Sequence, residues 1–366
     1  MKNVLIFCLL LAAQFTDAQT TIQLDISASR VVYNPLYHKA YVAVSDNDPQ
    51  YPKSILQIDP ITGTIEKRIT LPQIPLTIRQ SYDLKCLYVS YKYQPDILKI
   101  ALEEFIVSDT LNTGNLKVLD FAILPSDNNT LVVIRGDGSY PDDLVMYKNG
   151  VLQPRQESTN SDNFSTLCFK NDGSRLYAHN GITSGSQGRL VKVLDDGIEF
   201  YGKTWDYMMS NYGFVKNNND LLYDETGKIL DPFSDSIPKL IAYMPIHKIA
   251  EYSRTGFEYS ALHGSYVFGH ALNYRGYISF FHGESYNYQG SIAMKGQVQM
   301  IYDLAIVDSD HFILVALRNS TDNRILLLVS AKDKDKMILQ QRSSSADNIS
   351  KQNRSWGINP KKTAKY

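Results

Sequence analysis

Very little in this sequence of 366 residues points to a reaction. Cysteine is scarce, and its three copies, Cys8, Cys86 and Cys168, fit no zinc or redox spacing. Lys and Arg number 37 against 38 Asp and Glu, so the net charge of −1 lacks the broad basic excess of a nucleic-acid binder. No stretch carries the 3.6-residue apolar period of a long helix, which argues against a parallel sheet with helical crossovers. The Gly-rich stretch at residues 181–188 lacks the Lys-Ser/Thr ending of a phosphate loop and reads as a long hairpin loop. No Ser–His–Asp or Cys–His order stands out. These absences leave no catalytic residue to name, and the reading leans away from an enzyme.

What is abundant is strand chemistry. There are 25 tyrosines, and tyrosine suits half-buried sheet surfaces, with its ring packed and its hydroxyl near water. Short β-rich cores recur along the chain. With Tyr41, Leu87, Leu131, Leu176, Leu221, Tyr266 and Phe312 as landmarks, consecutive spacings are 46, 44, 45, 45, 45 and 46 residues. Each unit has a strand before the landmark and then an Asn/Asp/Gly-rich turn, as in Lys170-Asn171-Asp172-Gly173-Ser174. After the landmark strand come a variable loop and a third strand, then a second turn such as Ile61-Thr62-Gly63 and a fourth strand. Four antiparallel strands per 45 or so residues, seven times, predict an all-β, seven-bladed β-propeller. The seventh unit runs out after three strands near residue 330. The stretch at residues 21–26 is expected to supply the fourth, closing the ring and removing exposed sheet edges.

The ends of the chain read differently. Residues 1–18 have a short basic start, an apolar run over residues 4–13 and small residues at Thr16 and Ala18, the pattern of a secretory signal peptide cleaved after Ala18. The run is too short for a transmembrane anchor. Cys8 lies inside it behind Phe7, which does not suit lipid attachment. Cys86 and Cys168 are then expected as free, packed thiols. Residues 332–366 carry nine Lys/Arg against three Asp, with few apolar residues, and are expected to form a basic, disordered tail. The propeller proper is expected over residues 19–331.

Several turns carry a family resemblance: Asn34-Pro35 leading into Lys39-Ala40-Tyr41-Val42, Ile58-Asp59-Pro60-Ile61-Thr62-Gly63, and Leu222-Tyr223-Asp224-Glu225-Thr226-Gly227. So do Leu87-Tyr88-Val89-Ser90 and Leu176-Tyr177-Ala178-His179. Over residues 21–331 the chain resembles the YncE-like, YVTN-type seven-bladed propellers of bacterial exported and surface proteins. The Ala18-Gln19-Thr20 junction is similar to those of Bacteroidetes secreted proteins. The resemblance implies an extracytoplasmic binding or adhesion module without established chemistry. WD40, sialidase and kelch propellers fit less well: Trp205-Asp206 is the sole Trp-Asp pair, and neither a sialidase-type Asp-box nor a kelch Gly-Gly pair is present.

Three constellations carry groups capable of chemistry or ligand contact. His263, His270 and His282 share one repeat, but their spacings match no ligand motif and packing roles are expected. Asp137, Asp142 and Asp143 lie on a Gly-containing loop at residues 136–143 that could hold Ca²⁺, although the alternation of an EF-hand is absent. No other cofactor is expected. Aromatic residues Trp205, Tyr207, Tyr286 and Tyr288 lie beside Asn and Asp and suit stacking on a sugar or anchoring a protein partner. The sequence thus predicts a secreted or periplasmic monomer that binds a protein or glycan through its loop faces and takes no nucleic acid. A metal-assisted hydrolase or lyase at the central channel, or a structural surface-layer component, is the alternative. A channel mouth of converging His, Asp and Glu would favour the enzyme.

Overall fold

The computed structural model describes residues 19–137, 143–159, 163–180, 187–205, 215–232, 238–244, 246, 256–317 and 324–331. These residues form seven antiparallel sheets arranged as a ring, with no α-helix among them. Strand β1 (Gln19–Leu24) stands apart from its sequence neighbours. Blade 1 is β2 (Ala28–Asn34), β3 (Lys39–Val44), β4 (Ser54–Ile58) and β5 (Ile65–Thr70). Blade 2 is β6 (Pro75–Gln80), β7 (Cys86–Tyr91), β8 (Asp96–Ala101) and β9 (Ile106–Asn112). Blade 3 is β10 (Lys117–Leu124), β11 (Asp127–Gly136), β12 (Asp143–Lys148) and β13 (Val151–Leu152), with β14 (Glu157–Ser158) also on β12. Blade 4 is β15 (Thr166–Phe169), β16 (Arg175–His179), β17 (Gly188–Leu194) and β18 (Gly197–Trp205). Blade 5 is β19 (Val215–Asn218), β20 (Leu221–Asp224), β21 (Lys228–Asp231) and β22 (Lys239–Tyr243). Blade 6 is β23 (Gly256–Ser260), β24 (Ser265–Leu272), β25 (Arg275–His282) and β26 (Tyr288–Gln297). Blade 7 is β27 (Met300–Ile306), β28 (His311–Leu317) and β29 (Arg324–Ala331), completed by β1.

Closure by the N-terminal strand is as expected, two residues earlier than the pattern suggested. Strand β1 pairs with β29 from Gln19↔Ala331 to Leu24↔Leu326. Its inward Ile22 and Leu24 pack against the core that Leu326 and Leu328 share with blade 1. A six-residue antiparallel ladder thus ties the first strand to the last.

The second and third strands of a blade are largely buried because both sheet faces are covered. In β3, Ala40, Val42 and Val44 pack toward blade 7, while Tyr41 and Ala43 pack toward blade 2. The period of two therefore sends alternate residues into opposite seams. Seven buried clusters result among the described residues, one for each pair of adjacent blades. Outer strands face solvent and look it: β5 carries Glu66, Lys67 and Arg68, charges that discourage edge-to-edge pairing.

The turns follow local chemistry. Asp59 accepts from the backbone N–H of Ile61 and of Thr62 at 2.9 and 2.8 Å, and these bonds, the Thr62 one foremost, hold its carboxyl below its ordinary value. Gly63 closes the turn at φ 75°, a left-handed conformation that suits glycine. Because strands alternate in direction, the turns after the first and third strands of every blade share one face of the ring. The connections after the second and fourth strands share the other.

Candidate functional site

The first strand of each blade lines the axis of the ring. Together they enclose a cavity of about 530 Å³, walled by residues from all seven blades. Five of the seven strands place a charged group there, Arg30, Arg79, Lys216, Glu258 and Asp303, and a sixth carries Asp120, which pairs with Arg79. Blade 4 contributes Cys168 instead. Four of these strands bulge just before the charged residue, with register shifts between Ala28 and Arg30, Pro75 and Ile78, Val118 and Asp120, and Ile301 and Asp303. A bulge re-aims the side chain that follows it.

Three cations face three anions, and each pair joins neighbouring blades. Arg79 of blade 2 donates through Nη2 to both carboxylate oxygens of Asp120 in blade 3, at 3.0 and 2.9 Å. Lys216 of blade 5 donates to Glu258 of blade 6 at 2.8 Å and to the Phe257 carbonyl at 2.7 Å. Arg30 of blade 1 lies in the field of Asp303 in blade 7. The aspartates also accept backbone N–H groups across the seam, Asp120 from Leu167 at 2.9 Å and Asp303 from Val31 at 3.0 Å. Gly256 makes room for one such approach, since a Cβ there would lie 2.5 Å from the Asp303 carbonyl carbon.

Electrostatics follow the burial. Desolvation lowers the Arg30 guanidinium below its ordinary value, against the pull of Asp303. Desolvation acts on Arg79 and Lys216 too, but Asp120 and Glu258 outweigh it and hold both above theirs. Burial pushes the Cys168 thiol up to about 12, so it is protonated at neutral pH and a poor nucleophile.

The end of the channel on the face of the first-to-second-strand turns has another character. Its rim holds Tyr33, Gln80, Tyr82, Phe169, Asn171 and Asn217. The amides clasp neighbouring blades: Asn34 Nδ2 donates to Gln80 Oε1, Gln80 Nε2 to the Tyr33 carbonyl, and Asn217 Nδ2 to the Phe169 carbonyl and Asn171 Oδ1.

The residues singled out from the sequence fall elsewhere. Trp205 ends β18, its backbone registered with Gly188, and so lies on the opposite face from Tyr286. Tyr207 is outside the described residues. Tyr286 sits in the turn after β25 at φ 57° and packs with Tyr266; Tyr288 packs on Phe281 and its hydroxyl shares a hydrogen bond with Ser291 at 2.6 Å. Trp205 and Tyr286 therefore stand on different faces of the ring. Asp137 and Asp143 flank a connection on the Trp205 face, and Asp142 is outside the described residues. Both oxygens of Asp143 accept from Arg135, at 2.9 and 2.6 Å, so a cation there would compete with a buried guanidinium. The histidines are apart: His263 contacts Ser260 and the Ser309 carbonyl, His282 Nδ1 accepts from two backbone N–H groups, and His270 is buried against Ser279. Among the described residues no group of three or more metal-ligating side chains forms. Cys86 and Cys168 are unpaired and half-buried. No described helix is long and apolar enough to cross a membrane.

Sequence reasoning missed the channel ring because its members stand 41 to 49 residues apart in adjacent blades. The available signal was positional: each precedes its landmark by 5 to 11 residues, on the unit's first strand.

Comparison with known proteins agrees with the fold and does not go beyond it. No family model matches the chain. No curated protein matches it either. Among solved structures, the β-propeller domain of Cps50 (Swd1) from Myceliophteria thermophila superposes with a TM-score of 0.61. It is 11% identical in sequence, over 85% of this chain and 99% of that one. The class of protein is therefore the seven-bladed β-propeller.

Proposed function

We propose that this chain is a non-enzymatic, extracytoplasmic binding propeller that recognises a protein or a glycan through a loop face. The observation that carries the reading is the state of the channel's ionisable groups. Asp120 and Glu258 are paired with Arg79 and Lys216 and hold neighbouring blades together, Asp303 receives two backbone N–H groups, and Cys168 is held as a thiol. A general base or nucleophile needs a group poised near the operating pH and within reach of substrate. Carboxylates spent on blade-to-blade pairs supply rigidity instead, and a rigid ring presents its loops as a pre-organised surface.

The resemblance to YncE-like exported propellers and the signal-like residues 1–18 support an extracytoplasmic setting, in the periplasm or outside the cell. N-terminal sequencing of the mature protein should begin at Gln19. The binding reading is tested by presenting the purified chain to a glycan array and to immobilised secreted proteins. Saturable binding to one of these is expected. Turnover of a hydrolase or lyase substrate that depends on added metal would replace the reading with an enzymatic one, and concentration-dependent self-assembly would replace it with a structural one.

A further inference from the structure

We propose that the channel mouth formed by the first-to-second-strand turns is a pocket for a neutral saccharide unit, with Tyr82 and Asn171 as its ligand-facing groups. The inference rests on the reading of the chain as a binding propeller and names the ligand class and the place.

Size comes first. The cavity of about 530 Å³ lies inside the roughly 300–1,000 Å³ typical of small-molecule sites. It is walled by strands rather than by long loops, so its shape is fixed before any ligand arrives. Charge decides the ligand class. The deep lining carries Arg30, Arg79, Lys216, Glu258 and Asp303, and Arg79 is further neutralised by Asp120, so neither an anion nor a cation meets a uniform field. The rim above them is uncharged, made of Tyr33, Gln80, Tyr82, Phe169, Asn171 and Asn217. Aromatic faces beside planar amides suit a sugar, whose C–H surface stacks on a ring while its hydroxyls need both donors and acceptors.

Two rim residues tie blades together through some of their polar atoms and keep another for a ligand. Tyr82 lines the cavity and is 55% exposed, and burial, with Cys168 nearby, pushes its hydroxyl up to about 12. That hydroxyl has no hydrogen-bond partner among the described residues, since Tyr82 is tied down only through its backbone N–H to Asn128 Oδ1 at 3.0 Å. The exposed Asn171 uses its Oδ1 for Asn217 and its backbone N–H for Asp220, which leaves its Nδ2 as an available donor. Gln80 Nε2 spends one hydrogen on the Tyr33 carbonyl and retains another. A phenol and two carboxamides line one opening from blades 2 and 4.

The test is calorimetric titration of the full chain with glucose, galactose, N-acetylglucosamine, maltose and cellobiose, and with phosphate, succinate and putrescine as charged probes. A neutral sugar is expected to bind one-to-one, with affinity unchanged between about 50 and about 500 mM NaCl because no net charge is exchanged. Tyr82→Ala should weaken it about tenfold, the scale of one lost aromatic contact, with the thermal transition unmoved. Asn171→Ala should weaken it by a smaller factor. Binding of a charged probe in place of every sugar overturns the inference. Sugar binding that survives both substitutions overturns the site while leaving the propeller as a glycan binder. Capture of a secreted protein with no sugar bound overturns the inference and leaves the binding role standing. Failure to bind any sugar, glycan or protein overturns both.

Discussion

The seams between blades and the wall of the channel are built from opposite materials. Each seam is an apolar cluster to which the second and third strands contribute heavily, as between blades 6 and 7, where Phe280, Phe312 and Leu327 are all buried. A few ångströms inward, the first strands meet through ion pairs, carboxylate-to-backbone bonds and amide clasps. Apolar burial is non-directional and contributes most of the stability, on the order of 25 cal/mol for each Å² removed from water. Hydrogen bonds and ion pairs contribute less net energy but fix geometry, because a misplaced partner leaves a buried polar group unsatisfied. The comparison teaches that this ring is held by its seams and set in register by its channel.

That division can be broken in order of expected damage. The largest effect should come from the seam that closes the ring. Placing carboxylates at its N-terminal strand, Ile22→Asp with Leu24→Asp, should cost about 5 kcal/mol, since charges would be driven against Leu326 and Leu328. Urea unfolding and gel filtration read it, and an unchanged midpoint would mean that β1 does not close the ring. Next, Leu326→Ala empties a fully buried seam position and should cost about 3–5 kcal/mol in the same denaturation experiment.

A polar chain inside blade 6 sharpens the rule by exception. His270 is 2% exposed, its Nε2 bonded to Ser279 Oγ at 2.7 Å, and burial lowers it to about 4 from 6.5. Its folded value lies below its unfolded one, so below pH 6.5 the unfolded chain takes up the proton first. Stability is therefore intact above pH 6.5 and falls as pH drops from 6.5 to 4, by on the order of 3 kcal/mol. Denaturation midpoints across that range should lose this slope in His270→Gln.

The channel should respond more mildly than the seams. Asp120→Ala removes the partner of Arg79 and the acceptor for Leu167 N–H, and should cost about 2–3 kcal/mol. Amide exchange should rise first at the junction of blades 3 and 4. If it cost more than Leu326→Ala, the ranking of seam over channel would be wrong. The smallest effect belongs to the rim: Tyr82→Ala, at an exposed ring, should stay within about 0.5 kcal/mol by the same unfolding measurement.

Most of the scaffold was legible in the chain. The seven landmarks all fall at or beside the second strand of a blade, and the incomplete seventh unit announced its closure by an N-terminal strand. The closing strand came out at Gln19–Leu24 rather than at residues 21–26, because Asp25 and the backbone links at Ile26 and Ala28 already belong to the turn into blade 1. The added strand β14 and the parallel bridge from Arg155 to Gly197 left no periodic trace, since two-residue pairings are too short to show one. The site was much less legible. Trp205 and Tyr286 looked like neighbours in chemistry and lie on opposite faces, while Tyr82 carried no motif, Asn171 read only as a turn former, and the two share one opening.

The sequence by itself determined the number of blades, the order of strands and which positions are dry, because each of these is written in short-range alternation and in turn residues a few positions apart. Only the tertiary structure decided what faces the axis. Arg30, Arg79, Asp120, Lys216, Glu258 and Asp303 are separated by whole blades, and nothing local distinguishes them from solvated strand charges until ring closure and four strand bulges aim them inward.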